Sequence, residues 1–309
     1  MSPESTKVTV KVGDQTLTLS NLDKVLYPDV GFTKGEVIDY YTRVADVMLP
    51  HLRERPLTFK RYPDGVEGKF FFEKNAPSHT PEWVRRVRLP SPGSTKNRDT
   101  INYAVLDGLP SLVWAANLAT LELHVPMWTV TDKDKPRHPD LMVFDLDPGP
   151  PATVVQCCEV ALLVRDVLAD AGIEAVPKTS GSKGLQLYVP LDRSSPWEDV
   201  HTYARTLAQQ LERDRGDLVV WNMKKELRTG KVLVDWSQNN AAKTTIAVYS
   251  LRARPTPTVS TPVTWDEVEA CRTPEDLRFT SADVLARVDE HGDLFARCLD
   301  GDQKLPATP

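Results

Sequence analysis

Three acids stand at the ends of apolar runs in this chain. Asp145 and Asp147 close Leu141-Met-Val-Phe-Asp-Leu-Asp147, and Asp235 follows Val232-Leu-Val234. Side chains alternate along a strand, so Asp145 and Asp147 share one face while Leu146 turns to the other. Two carboxylates side by side repel unless a cation lies between them, and hard oxygen donors at this spacing suit Mg²⁺ or Mn²⁺. Pro148-Gly149 then stops the strand and fixes its backbone. Downstream, Ser180-Gly-Ser-Lys-Gly184 lies between two apolar runs and offers backbone N–H groups, hydroxyls and an ammonium together, a turn suited to phosphate. It is not a P-loop, because the lysine is misplaced and a strand follows instead of a helix. Carboxylates clamping two divalent ions beside a phosphate-binding turn imply phosphoryl or nucleotidyl transfer.

The elements that must position these groups read as an α+β pattern. Lys7–Val12 and Gln15–Leu19 alternate around Gly13-Asp14 and predict a hairpin. Ser20-Asn21 is placed to cap a short helix from Leu22 to Tyr27, ended by Pro28. Thr33-Lys34-Gly-Glu36 has the form of a capping box for a helix carrying Val37, Tyr40, Tyr41, Val44 and Met48. Lys34 falls in its first turn, where the helix dipole disfavours a cation, which makes sense if Lys34, Lys24 and Asn21 hold an anion. Strands across Pro56–Tyr62 and Lys69–Lys74 flank Pro63-Asp64-Gly65, and Phe70, Phe71 and Phe72 beside Lys60, Arg61, Lys69 and Lys74 make a candidate base-stacking platform. A loop at Pro90–Thr95, within a basic run from Arg85 to Arg98, is a candidate nucleic-acid contact. His124 shares a strand face with Glu122 and lies one connection before the Asp145 strand. Helices are expected at Leu109–Thr120, Val154–Leu168 and Trp197–Arg213, with a second basic turn at Lys224–Lys231 that includes Arg228.

Bulk composition narrows the class without deciding it. The chain has 309 residues, 40% hydrophobic content and a net charge of −5. Residues 266–302 carry eleven acids against four arginines, a net of −7, so the remainder is +2 with its cations clustered. No apolar run is long enough to span a bilayer and Met1–Lys7 lacks a signal-peptide core, so a cytoplasmic protein with no membrane partner is expected. Cys157, Cys158, Cys271 and Cys298 show neither zinc spacing nor a disulfide framework. One domain is expected over residues 1–300, with an N-terminal part to about 105, a catalytic part to about 260, an acidic helical part to 300 and a frayed tail at 301–309.

Phe144-Asp-Leu-Asp-Pro-Gly149, Ser180-Gly-Ser-Lys-Gly-Leu185 and Val234-Asp-Trp-Ser-Gln-Asn239 resemble motifs I, II and III of the archaeo-eukaryotic primase superfamily. Within it, the chain is similar to the polymerase domain of bacterial LigD and to stand-alone primase-polymerases, from Leu19–Pro28 through Tyr249–Arg252. The resemblance implies a primase-polymerase fold, a central mixed sheet flanked by helices, and a template-dependent polymerase favouring ribonucleotides in gap filling or end joining. It implies Asp145, Asp147 and Asp235 as ligands of two Mn²⁺ or Mg²⁺ ions. Lys60, His124, Ser180, Lys183, Gln238 and Arg252 match positions around the incoming NTP or dNTP, and Gln186 stands in the same site. Asn21, Lys24 and Lys34 match a pocket for a downstream 5′-phosphate on gapped or broken DNA, and Phe71, Phe72 and Arg228 match contacts to the primer-template. A DNA ligase and Ku are the partners such a domain implies. Motif II usually ends Gly-Leu-His, whereas this chain has Gly184-Leu185-Gln186, so altered nucleotide affinity or metal preference is expected.

Two other readings fit part of the pattern. A phosphatase of the haloacid dehalogenase type also places Asp-x-Asp after an apolar strand, but it would need a small-molecule pocket and no basic loops. A non-catalytic binder of 5′-phosphorylated DNA ends would keep Lys24 and Lys34 and tolerate loss of the acids.

Overall fold

The computed structural model describes residues 7–91 and 99–307. Nine strands build its two main sheets: β1 Thr58–Arg61, β2 Phe71–Glu73, β3 Thr120–Val125, β4 Leu141–Pro148, β5 Val176–Thr179, β6 Leu185–Pro190, β7 Val219–Val220, β8 Val232–Asp235 and β9 Thr245–Ile246. The five-stranded sheet runs β5-β6-β4-β8-β7, antiparallel except for the parallel β7–β8 pair. The four-stranded sheet runs β9-β3-β1-β2 and is antiparallel throughout. The expected central mixed sheet is thus the larger of two.

Alternation along β4 explains where the site must lie. Met142, Phe144 and Leu146 face α1 (Val154–Asp170) and α2 (Trp197–Asp214), in a cluster that includes Val160 and Leu207. Leu141 and Val143 face the other way, into the core shared with the smaller sheet. Asp145 and Asp147 continue that second face, so β4 changes from apolar to acidic just where it leaves this core. The core containing Leu141 and Val143 also takes in Leu17, Tyr40, Phe295 and Cys298, joining both ends of the chain. Asp293 fastens the far end, lying 2.8 Å from His51 Nε2 and accepting from the Tyr249 hydroxyl at 2.7 Å.

Several elements depart from the sequence expectation. The Leu22–Tyr27 helix does not form. Asn21 adopts a positive φ of 54°, and Val25–Tyr27 pairs instead with Phe32–Thr33 as a small hairpin. Thr33 does cap a helix through the expected box with Glu36, but that helix ends at Arg43 and a second runs Ala45–Leu52. Residues 301–303 are anchored, not frayed: the Gln303 side chain accepts from Glu174 N at 2.7 Å and donates to Glu174 O at 2.9 Å. Within the basic run, Arg86–Pro90 is a strand paired with Thr100–Ala104, while the Pro92–Arg98 part of the expected loop, with Lys96, lies outside the described residues. Among the described residues no helix is long and apolar enough to cross a membrane.

Candidate active site

Antiparallel pairing places Asp145 directly opposite Asp235 and Asp147 opposite Leu233. Residues that face each other across a ladder point to the same side, so three acids from segments 90 residues apart share one face. Asn239 holds the segment after β8 onto β4, donating to Val143 O at 2.7 Å and accepting from Val143 N at 2.8 Å. Burial raises the Asp145 carboxyl to about 7, with Asp147 and then Asp235 adding repulsion against a hydrogen bond from Gln186. Asp147 is raised as well, by burial and then by Asp235.

Asp145 and Asp147 line a cavity of about 260 Å³ together with His124, Ser180, Lys183, Gln186, Gln238 and Arg252. Eight residues singled out in the sequence therefore converge. Asp235 stands just behind: its Oδ1 accepts from Ser237 N and Oγ, and its Oδ2 from Gln238 Nε2 at 2.8 Å. Among the described residues no three acids, histidines or cysteines form a ready ligand set.

The Ser180–Gly184 turn folds around its own serine, whose Oγ accepts from Ser182 N at 3.2 Å and Gly184 N at 3.1 Å. Gly184 is required here, because a Cβ would stand 2.1 Å from Leu146 O on the neighbouring strand. Arg252 Nη1 donates to Ser180 O at 2.8 Å and so ties this turn to the opposite wall. Gly149, just past the same end of β4, has a similar role, since a Cβ there would meet Arg228 O at 1.9 Å. That close approach brings the Arg228 turn to the acids, and its guanidinium lowers the Asp147 carboxyl against the effect of burial.

Two residues that organise the site were not assigned a role from sequence. Glu122, 2% exposed, lies 3.0 Å from His124 Nε2, 3.4 Å from Arg252 Nε and 3.6 Å from Lys60 Nζ, so it groups three of the expected nucleotide-site residues. Burial would raise its carboxyl, but the His124 hydrogen bond and the Arg252 charge hold it at about 2. Its placement on the His124 face was the available signal. Lys178 is buried beneath the site and donates to Gln186 Oε1 at 2.5 Å and Ser260 Oγ at 2.6 Å. A lysine can only donate, so it fixes the Gln186 amide with its nitrogen towards Asp145, which accepts at 2.9 Å.

Lys60 does not line the cavity. Its ammonium lies over the Phe70 ring at 4.7 Å and near Glu122, linking the aromatic strand to the site. Phe70, Phe71 and Phe72 are all about half exposed, and the Phe72 ring meets the His124 ring at a centroid separation of 5.7 Å. Asn21, Lys24 and Lys34 are gathered as expected, with Lys34 N donating to Lys24 O at 2.8 Å. Lys34 Nζ donates to Ser20 O at 2.6 Å, and Lys24 pairs with Asp64 at 2.8 Å. Burial, then the charges of Lys24 and Arg61, lower Lys34 to about 8.

The family model described as LigD, primase-polymerase domain, matches residues 33–295. The multifunctional non-homologous end joining protein LigD of Mycolicibacterium smegmatis is 48% identical over 94% of this chain, which spans 37% of that protein. The bifunctional LigD of Bacillus subtilis is 31% identical over 89% of this chain and 43% of its own length. The chain thus spans less than half the length of these relatives. A solved structure of the polymerase domain from Mycobacterium tuberculosis Ligase D in complex with DNA superposes with a TM-score of 0.86 at 44% identity, covering 94% of this chain and 99% of that one. The chain belongs to the LigD primase-polymerase domain family.

Proposed function

We propose that the chain is a template-dependent nucleotidyltransferase that fills gaps or extends ends of broken DNA, favouring ribonucleotides. One observation carries the reading: Asp145 and Asp147 share a cavity with Ser180, Lys183, His124 and Arg252. Carboxylates able to hold divalent cations thus lie beside groups able to hold a triphosphate. Family membership and the known DNA complex of a relative support polymerisation on DNA over the phosphatase and the non-catalytic binder.

The donor set suits hard divalent ions. All candidate ligands are carboxylate oxygens, and burial first, then repulsion from Asp147 and Asp235, raises the Asp145 carboxyl to about 7, a cost to the ionised acids that a bound cation would relieve. Asp145 and Asp147 would hold Mn²⁺ or Mg²⁺ directly, and Asp235 would join by giving up the Gln238 hydrogen bond. Bound there, such ions neutralise triphosphate charge and lower the pKa of a primer 3′-hydroxyl.

The remaining work falls to side chains. Lys183 and Arg252 offset charge on the β- and γ-phosphates while the Ser180 turn orients them. Burial lowers the His124 pKa, the Glu122 hydrogen bond opposing, so the neutral ring donates to Glu122 and keeps one fixed orientation. Phe71 and Phe72 stack on the primer-template, and Arg228 contacts the end at the active site. Asn21, Lys24 and Lys34 receive a downstream 5′-phosphate. A ligase activity and a Ku-type end-binding protein are the proposed partners.

Primer extension on a gapped duplex with labelled rNTP and dNTP, run first with Mn²⁺ and then Mg²⁺, tests this reading. Templated addition, stronger with rNTP, is expected; phosphate release without extension, or binding alone, would overturn it.

A further inference from the structure

A second cavity of about 540 Å³, twice the size of the one over the acids, opens on the other side of the Ser180–Gly184 turn. Ser182 and Lys183 line both, so the two spaces meet at the group expected to hold a triphosphate. Three cations line the larger cavity, Lys183, Arg254 and Arg278, against a single acid, Glu275. None of the three forms an ion pair among the described residues, and the one side-chain hydrogen bond among them runs from Arg278 to the Thr256 hydroxyl at 3.0 Å. Unpaired cations that converge on a concave surface raise the local concentration of anions. Pro255 and Phe279 give the cavity an apolar wall as well.

We propose that this cavity is a second polyphosphate-binding site, which receives the pyrophosphate leaving the active cavity past Lys183. The inference rests on the polymerase reading. Nucleotidyl transfer forms the bond from the primer 3′-oxygen to the α-phosphorus as the hydroxyl proton passes to water, breaks the α–β bridge with its electron pair leaving on the β-phosphate oxygen, and leaves pyrophosphate against Ser180 and Lys183. Departure back across the acidic face would carry a strongly negative ion past Asp145 and Asp147. The larger cavity instead presents Arg254 and Arg278 to the same ion, with Lys183 common to both positions. An incoming nucleotide has the same phosphate chemistry, and its base would suit the Phe279 wall, so it is the alternative source of the anion.

Calorimetric titration of the full chain without added divalent metal separates the two. In the wild type saturated with a non-hydrolysable rNTP analogue, pyrophosphate is expected to bind one further equivalent. The Arg254→Ala/Arg278→Ala variant should weaken that step about tenfold, and the corresponding double lysine variant should keep most of it. A second equivalent of analogue that displaces pyrophosphate and is lost in the alanine variant would support the site with nucleotide as its occupant. No binding beyond the first equivalent, or pyrophosphate binding unchanged in the alanine variant, would overturn the proposal. Primer extension by the same variant should be retained with weaker inhibition by pyrophosphate. Failure of extension in the wild type would strike the polymerase reading instead, and leave the titration legible.

Discussion

Glu122 and Arg252, 130 residues apart, meet at 3.4 Å in the wall of the active cavity, with the carboxylate 2% exposed. The same group engages His124 and Lys60, so one buried charge holds three groups of the nucleotide site. Removing that charge leaves cations facing a neutral amide. Glu122→Gln is expected to raise the nucleotide KM about tenfold with a smaller change in kcat, and to cost about 1–3 kcal/mol of stability. Steady-state kinetics and thermal unfolding check both; an unchanged KM would show that the grouping is only structural.

Gln186 should be held by Lys178 rather than by solvent. Lys178→Met removes the shorter of two donors to Gln186 Oε1, leaving the Tyr188 hydroxyl at 3.3 Å, and so loosens the amide's hold on its orientation towards Asp145. The expected result is a weaker response to Mn²⁺, seen as a several-fold higher metal concentration at half activity, together with lower affinity for Mn²⁺ in calorimetry. Gln186→His, the residue that the motif II resemblance leads one to expect, should shift the same two readouts, since imidazole in place of an amide changes the donor facing Asp145.

The proposed 5′-phosphate site should have a pH signature. Lys34 titrates at about 8, lowered first by burial and then by Lys24 and Arg61. Its charge is present below that pH and lost above it, so preference for a 5′-phosphate over a 5′-hydroxyl on gapped duplex should fall as pH rises from 7 to beyond 9. Bound phosphate moves the fall upward, because an anion favours the ammonium. Lys34→Ala should show a small and pH-independent preference. A wild-type preference that stays flat across this range would remove Lys34 from the site.

Close backbone approach around β4 sets a steric test. Gly184→Ala would put a Cβ 2.1 Å from Leu146 O, well inside any real contact. Strand separation at the phosphate turn must then increase, at a cost of about 1–3 kcal/mol and with loss of nucleotide affinity. Gly172→Ala, where no atom lies within 4 Å but φ is +73°, should cost stability without touching nucleotide binding.

Local patterns carried the fold further than the pairings did. β4, β6 and β8 were legible because each is an apolar run bounded by turn residues, and the Thr33–Glu36 box marked a helix start correctly. Leu22–Tyr27 misled because Ser20-Asn21 looks like a cap, whereas Asn21 takes the left-handed backbone and the next residues find a strand partner at Phe32–Thr33. Gln303 could not be seen as an anchor, since its partners lie at Glu174 and Pro190. In the site, Asp145, Asp147, Ser180 and Lys183 were readable from residue type and spacing and His124 from its strand face, whereas Gln186, Gln238 and Arg252 were reached only through the family resemblance. Glu122 and Lys178 were not readable, because a buried charge is defined by distant partners that only the folded chain supplies. The Asp145–Asp235 register belongs to the same class: each strand end was visible, but not that the two lie opposite.

On the polymerase reading, Asp145 and Asp147 act through bound cations and not through DNA affinity. Primer extension and gapped-duplex binding measured on the same preparations of Asp145→Ala and Asp147→Ala test it most directly. Extension should fall below detection in both, while the Kd for gapped DNA stays within about threefold of wild type, since phosphate contacts elsewhere dominate affinity. Undiminished extension by either variant would contradict the account.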